Sequence, residues 1–447
     1  MQRSTVIVVL ASILVLAASL RLGPVLSNVE QRRKGLGPYG DPDLYHVLAL
    51  NLVAGRGFTR GGQPVIFRSP GYPLVLAAVY AAVGAGDATT PEGWKTAWTA
   101  VRVVQSLMDC SLCLAVFLIL LSAFPGREWI ALLGAFLQSV DPYTAFWART
   151  LLTEPLTSFL LLWCLAFLGV GMRKRWLAAF AASGILGGAL VLTRPEYLPW
   201  LALALLPVLL MPSTKWARRI GSALLAAACS ILVIAPWTYR NVCLFHRLIP
   251  VATGSVGELL YRGTFEGSNP WRGWTWIPSD YAPTPAEKEE MAGLYAAYIR
   301  AQSTAGPEIF PIDEAFTKKA LARIGAWPAE TARAWFSNIP RLWYQRYIQM
   351  FQDREPPGVY VMAALIAAAA GLVLAGRQRR FLFAAAGVPL FLTLLYLPFH
   401  VESRYSTPAM PVLAALAAAG IACALAAAAR ALRAVYGAAT VDEKDGS

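Results

Sequence analysis

The sequence predicts an all-α membrane protein of about ten transmembrane helices, and three features predict it. Hydrophobic residues make up 57% of the 447-residue chain and charged residues only 15%, against ~25% charged in an average soluble domain. No soluble core of this length buries that much apolar surface, so the excess faces lipid. The apolar residues fall in runs near the ~20 residues that a helix needs to cross hydrocarbon. The basic residues behind a formal net charge of +13 stand in short clusters between those runs. That is the pattern of the positive-inside rule, not of a surface tracking nucleic-acid phosphates.

The runs lie near 5–22, 97–123, 129–147, 155–172, 176–193, 197–212, 220–237, 358–376, 381–398 and 406–428. The first follows a single arginine and has no small-residue cleavage site before Arg21, so it reads as an uncleaved span. Residues 71–84 form a shorter apolar stretch behind the turn Arg68-Ser-Pro-Gly-Tyr-Pro73. Loop charge decides its reading. If 71–84 stays out of the crossing set and the N-terminus is cytoplasmic, Arg127, Arg173 to Arg175, Lys215 to Arg219, Arg377 to Arg380, Arg430 and Arg433 all fall inside. If it crosses, those clusters move outside. The stretch therefore reads as a juxtamembrane helix.

The resulting organisation is a first transmembrane helix (1–26), a first outer loop with juxtamembrane helices (27–96) and helices two to seven (97–239). A large outer loop (240–357), helices eight to ten (358–428) and a cytoplasmic tail (429–447) follow. The large loop carries Trp271, Trp274, Trp276, Trp327, Trp335 and Trp343, and 313–351 reads as two amphipathic helices broken at Pro328. Trp335, Arg341, Trp343 and Arg346 suit a segment lying in the membrane interface. Cys110 and Cys113 form a CxxC inside an apolar helix, with no second pair or histidines beside it, and read as packing thiols.

The chemistry concentrates at the outer mouths of the spans. Asp41 and Asp43 open a helical stretch in Gly40-Asp-Pro-Asp-Leu-Tyr45, where carboxylates satisfy first-turn amides and are also candidates for a general base. Glu154, after Arg149 and Thr153, sits at a span start, where an ionisable side chain is costly unless paired or wet. A cap by Thr153 is the simplest account of it. Arg194, Arg240 and Arg404 mark three further mouths, the last within His400-Val-Glu402-Ser-Arg404-Tyr405. Outward arginines run against the positive-inside bias, and the guanidinium fork suits phosphate. A phosphate-bearing lipid ligand follows, with carboxylates to activate an acceptor.

At these residues the chain resembles the GT-C glycosyltransferases that use polyprenyl-phosphate sugars, specifically the family 39-like group of protein O-mannosyltransferases and the lipid A aminoarabinose transferase. The matching pieces run in order: Asp41-Pro-Asp-Leu-Tyr45, the stretch Leu48 to Phe58, Arg68-Ser-Pro-Gly-Tyr-Pro-Leu74, Arg102, Leu152-Thr-Glu-Pro155, and Glu402-Ser-Arg-Tyr405 with Pro408 and Pro411. Relatives often show a double proline where this chain has Ser-Pro-Gly-Tyr-Pro. The sizeable C-terminal outer domain of the lipid A enzymes has no counterpart here, which leaves acceptor recognition to the 240–357 loop.

The resemblance implies inverting transfer at the outer face. Asp41, Asp43 and Glu154 would form the catalytic set, with Asp41 the preferred base. Arg68, Tyr45, Arg149, Arg194, Arg240, Arg404, Tyr405, Glu402 and His400 would form the donor-phosphate and lipid site. No cofactor or metal ligand set is required, although a divalent cation near Asp41 and Glu154 is compatible by analogy with oligosaccharyltransferases. The implied partners are a polyprenyl-phosphate-linked sugar, the bilayer and a glycan, lipid or protein acceptor, with no nucleic acid. Ala-rich spans and small soluble parts suggest a bacterial inner membrane with the site facing the periplasm. A lipid-linked-glycan flippase or a surface-polysaccharide polymerase is the competing reading.

Overall fold

A computed structural model describes residues 2–27, 41–84, 91–211, 214–265, 285–304, 308–343, 361, 364–368 and 380–442. Trp271, Trp274, Trp276, Arg346 and most of the expected span at 358–376 lie outside them. So do the side chains of Asp41 and Asp43.

The described chain is almost wholly helical. Helix α1 (Arg3–Leu26) leads to α2 (Asp41–Val53), a small hairpin, α3 (Gly71–Ala82) and α4 (Pro91–Ala123). Next come α5 (Glu128–Ser139), α6 (Pro142–Trp147), α7 (Glu154–Lys174), α8 (Leu177–Thr193), a 3-10 turn at Pro195–Tyr197, α9 (Leu198–Leu209) and α10 (Trp216–Phe245). The large loop supplies α11 (Val256–Gly263), α12 (Pro285–Thr304), α13 (Ile309–Ala326) and α14 (Pro328–Trp343). α15 (Arg380–Tyr396), a 3-10 segment Ser403–Ala409 and α16 (Met410–Asp442) close the chain. By length and composition, five helices among the described residues can cross a membrane: Arg3–Leu26, Gly93–Ala123, Glu154–Lys174, Trp216–Phe245 and Ser403–Ala431. Shorter apolar helices, α8, α9 and α15 among them, fill the bundle between these.

The run 129–147, read as one span, is broken. Pro142 lacks an N–H and disfavours helix in the residue before it. α5 therefore stops at Ser139, and Asp141 restarts the chain by accepting from Tyr143 N at 2.9 Å. The freed carbonyls at the end of α5 need donors. Arg21 from α1 supplies them, donating to Ser139 O at 2.6 Å and Gln138 O at 2.9 Å while it pairs with Asp109 of α4.

α3 rises about 18 Å in its twelve residues, short of a hydrocarbon core of ~30 Å. It begins beside the end of α8, where a Cβ on Gly71 would lie 2.8 Å from Thr193 Cα. Tyr72 OH donates to Gln105 at 2.7 Å. From there α3 climbs α4 toward its N-terminus, so that Val79, Ala82 and Val83 share a groove with Lys95, Thr96 and Thr99. α3 thus lies along the N-terminal part of α4.

The two long loops share a core of their own. Leu44, Leu48, Phe58, Val65 and Ile66 of the first loop pack with Tyr261, Tyr295, Tyr298 and Phe316 of the second. The hairpin pairs Thr59 with Pro64 and Arg60 with Gln63. Its corner is Gly61-Gly62, both at positive φ, as a two-residue turn requires. The expected break before Pro328 separates α13 from α14. Arg341 and Trp343 face the protein interior. Both are buried, and Trp343 Nε1 donates to Thr393 of α15 at 3.0 Å.

Candidate active site

The mouths of α7, α8, α15 and α16 meet in one cluster of charge. Glu154 opens α7 and is fully buried. Its Oε1 accepts from Arg194 Nη2 at 2.7 Å, and Arg404 Nε stands 3.7 Å away. Its Oε2 is buried and has no hydrogen-bond partner among the described residues. Thr153 makes no capping bond to α7. Its hydroxyl instead accepts from Arg194 Nε at 3.1 Å, so the simplest sequence account of this turn gives way to a side-chain network.

Arg194 Nη1 donates to Tyr396 OH at 3.1 Å and lies 3.6 Å from Glu196, which accepts from the same tyrosine at 3.0 Å. Burial alone would lower the Arg194 pKa, but Tyr396, Glu154 and Glu196 hold it well above the ordinary value. Arg404 bonds Glu402, and His400 Nε2 lies 3.4 Å from the other Glu402 oxygen. Burial raises the Glu402 carboxyl, yet Arg404 and His400 together pull it well below the usual range. Tyr405 stacks on Tyr396 at 4.9 Å and carries the guanidinium groups of Arg194 and Arg404 at 5.2 and 5.5 Å. Glu154, Arg194, Glu402, Arg404, Tyr405 and His400, scattered over 250 residues, are thus brought together.

The first long loop approaches from the α4 side. Tyr45 meets Tyr72 edge-on at 5.2 Å, and Tyr72 is within electrostatic reach of Glu154. Burial pushes the Tyr72 phenol well above its ordinary pKa, which keeps it a neutral donor to Gln105. Gln105 in turn donates to Ala148 O and Thr150 O, and Arg102 Nε donates to Arg149 O at 3.1 Å. These bonds fix the turn that leads into Glu154. Arg149 itself donates to Ala145 O at 3.0 Å.

Two sequence candidates sit elsewhere. Arg240 lies over Trp237 at 4.5 Å and donates to Val65 O and Phe58 O at 3.3 Å, bracing the first loop against α10. Arg68 lies over the Phe67 ring at 5.4 Å and within electrostatic reach of Tyr298 in α12. The site also contains residues that the sequence did not single out: Tyr396, Arg262 and Glu258. Tyr396 looks like any interfacial aromatic, and Arg262 like any loop cation. Only the fold distinguishes them. Among the described residues, no three His, Cys, Asp or Glu side chains come together to hold a metal ion.

No protein-family model matches the sequence, and no curated protein does. Solved structures match the fold. The oligosaccharyltransferase AglB from Archaeoglobus fulgidus, in complex with an inhibitory peptide and a dolichol-phosphate, superposes over 96% of this chain and 52% of its own, with a TM-score of 0.54 at 13% identity. The apo form of the A. fulgidus enzyme covers 93% and 50%, with a TM-score of 0.54 at 15% identity. The chain shares a fold with these two structures. It spans about half the length of these structures. ArnT from Cupriavidus metallidurans, bound to undecaprenyl phosphate, matches more loosely, at a TM-score of 0.37 and 15% identity over 94% of this chain and 77% of its own.

Proposed function

We propose that this chain is an inverting glycosyltransferase of the GT-C kind that moves a sugar from a polyprenyl-phosphate donor to a hydroxyl acceptor at the outer face of the membrane. One observation carries the reading: two arginines converge on a buried, half-satisfied carboxylate at a mouth of the bundle. Arginine is the natural partner of a lipid phosphate, and the unbonded Glu154 oxygen is available to a substrate hydroxyl.

In the proposed step, Asp41 removes the acceptor proton as that oxygen attacks the anomeric carbon. The bond from that carbon to the phosphate oxygen breaks, and the polyprenyl phosphate departs with the electron pair. Arg404 neutralises the phosphate, and the sugar is inverted. Asp41 then returns its proton to water. Tyr45 stands one helical turn after Asp41 and meets Tyr72, which carries the start of α2 toward the Glu154 side. A divalent cation is not needed for this balance. If one takes part, Glu154 and the aspartates that open α2 would hold it. The outer cap supports acceptor recognition, because α11 to α13 pack directly against the first loop.

The test is purified protein with a panel of radiolabelled polyprenyl-phosphate sugars. We expect one donor to be consumed, with Asp41→Asn and Glu154→Gln at least a hundredfold slower. Full activity in Asp41→Asn removes it as the base. Consumption of no donor, together with movement of a lipid-linked glycan across proteoliposomes, would favour a flippase.

A further inference from the structure

We infer that His400 and Arg262 are positioning residues that join the large outer loop to the phosphate-holding arginine through a single ring nitrogen; the inference rests on the transfer reading above. Arg262 Nη2 lies 3.3 Å from His400 Nε2, and the same nitrogen lies 3.4 Å from Glu402 Oε1. Arginine can only donate, and an ionised carboxylate can only accept. A ring nitrogen is either an N–H or a lone pair, so Nε2 serves one neighbour at a time. Bare, it accepts from Arg262 and turns a lone pair toward Glu402. Carrying hydrogen, it donates to Glu402 and opposes the Arg262 N–H. The other oxygen of Glu402 holds Arg404, so the state of this nitrogen sets how firmly Arg404 is anchored beside Glu154.

The second neighbour belongs to the outer cap. Arg262 sits on α11, where Glu258 pairs with it at 3.5 Å and also accepts from Tyr295 OH of α12 at 3.3 Å. α11 is pressed against the chain that carries His400. His400 N donates to Leu259 O at 2.9 Å, and a Cβ on Gly263 would lie 2.8 Å from the Pro398 carbonyl carbon. Asn338 of α14 fastens the same strand from the other side, donating to Leu397 O at 3.0 Å and Phe399 O at 2.9 Å. A shift of α11 when the cap takes up an acceptor therefore reaches His400, and through its nitrogen the Glu402–Arg404 pair.

The chain has three histidines, His46, His246 and His400, so nitrogen-15 histidine spectra of the full chain in nanodiscs can follow each ring. Arg262→Met should drive His400 Nε2 toward the hydrogen-bearing form, and Glu402→Gln toward the bare form. A second arm measures binding of undecaprenyl phosphate as the probe. His400→Leu should weaken it about tenfold, the loss of one charge-assisted hydrogen bond. His400→Gln should recover most of that, because a carboxamide can accept from Arg262 and donate to Glu402 together. Signals that move the same way in both variants, or in neither, overturn the shared nitrogen even if the phosphate binds. Opposite movements with no undecaprenyl phosphate binding by the wild type overturn the positioning role through the transfer reading beneath it.

Discussion

Two buried charge clusters stand in the same bundle, and their contrast separates fastening from chemistry. Around Arg21 the guanidinium itself is closed in, although Gln138 Oε1 and Asp141 Oδ2 beside it are buried without a partner among the described residues. The guanidinium is fully enclosed and pairs with Asp109, and its other hydrogen bonds go to Ser139 O, Gln138 O and Thr144 Oγ1. This cluster completes the end of a helix that Pro142 interrupts. Around Glu154 the charges grade outward: side-chain exposure rises from 0% at Glu154 through 9% at Arg194 and 12% at Arg404 to 19% at Glu402 and 30% at Glu196. Here Glu154 keeps an unbonded oxygen, and two arginines share a carboxylate. A sealed ion pair holds helices together, whereas an open one can exchange a partner for a substrate.

Substitutions should separate the two clusters. The largest effect is expected in the sealed one. Asp109→Ala leaves Arg21 buried without its counter-charge and should lower unfolding stability by about 3–5 kcal/mol, while turnover per folded molecule stays near wild type. Thermal denaturation in detergent, with activity normalised to folded protein, reads both quantities. Glu154→Gln should do the reverse, with kcat down about a hundredfold and a much smaller shift of the unfolding transition. Arg404→Lys keeps the charge but not the fork, and should raise the donor KM about tenfold. Acid gives the smallest effect. The folded-state pKa of Glu402 is depressed, so its stabilising contribution is fully present above its unfolded value of about 4.5. It should fade as pH falls below that toward the folded value. A Glu402→Gln variant should lack this limb of the stability profile.

Much of the open cluster was legible in the sequence. Outward arginines at span mouths break a charge rule, and Glu154 at a span start breaks a solvation rule, so both stood out before any contact was known. The sealed cluster was hidden. Arg21 reads as the polar edge of a first span, and Asp109 as a lone acid in an apolar run. Their pairing depends on a break in α5 and α6 that the apolar pattern conceals. Arg240 misled for a related reason. It stands near a helix end, as read, but the first long loop folds back over α10 and engages the guanidinium. That loop-on-loop packing is long-range and leaves no periodic trace. Loop charge keeps 71–84 out of the crossing set, and α3, at twelve residues, is shorter than a helix that spans hydrocarbon.

The most direct test of this division is release of polyprenyl phosphate from a labelled polyprenyl-phosphate sugar, compared between Asp109→Ala and Glu154→Gln per folded molecule. The account predicts near-wild-type release from the first and about a hundredfold less from the second. Equal losses in both, or a loss confined to Asp109→Ala, would contradict it.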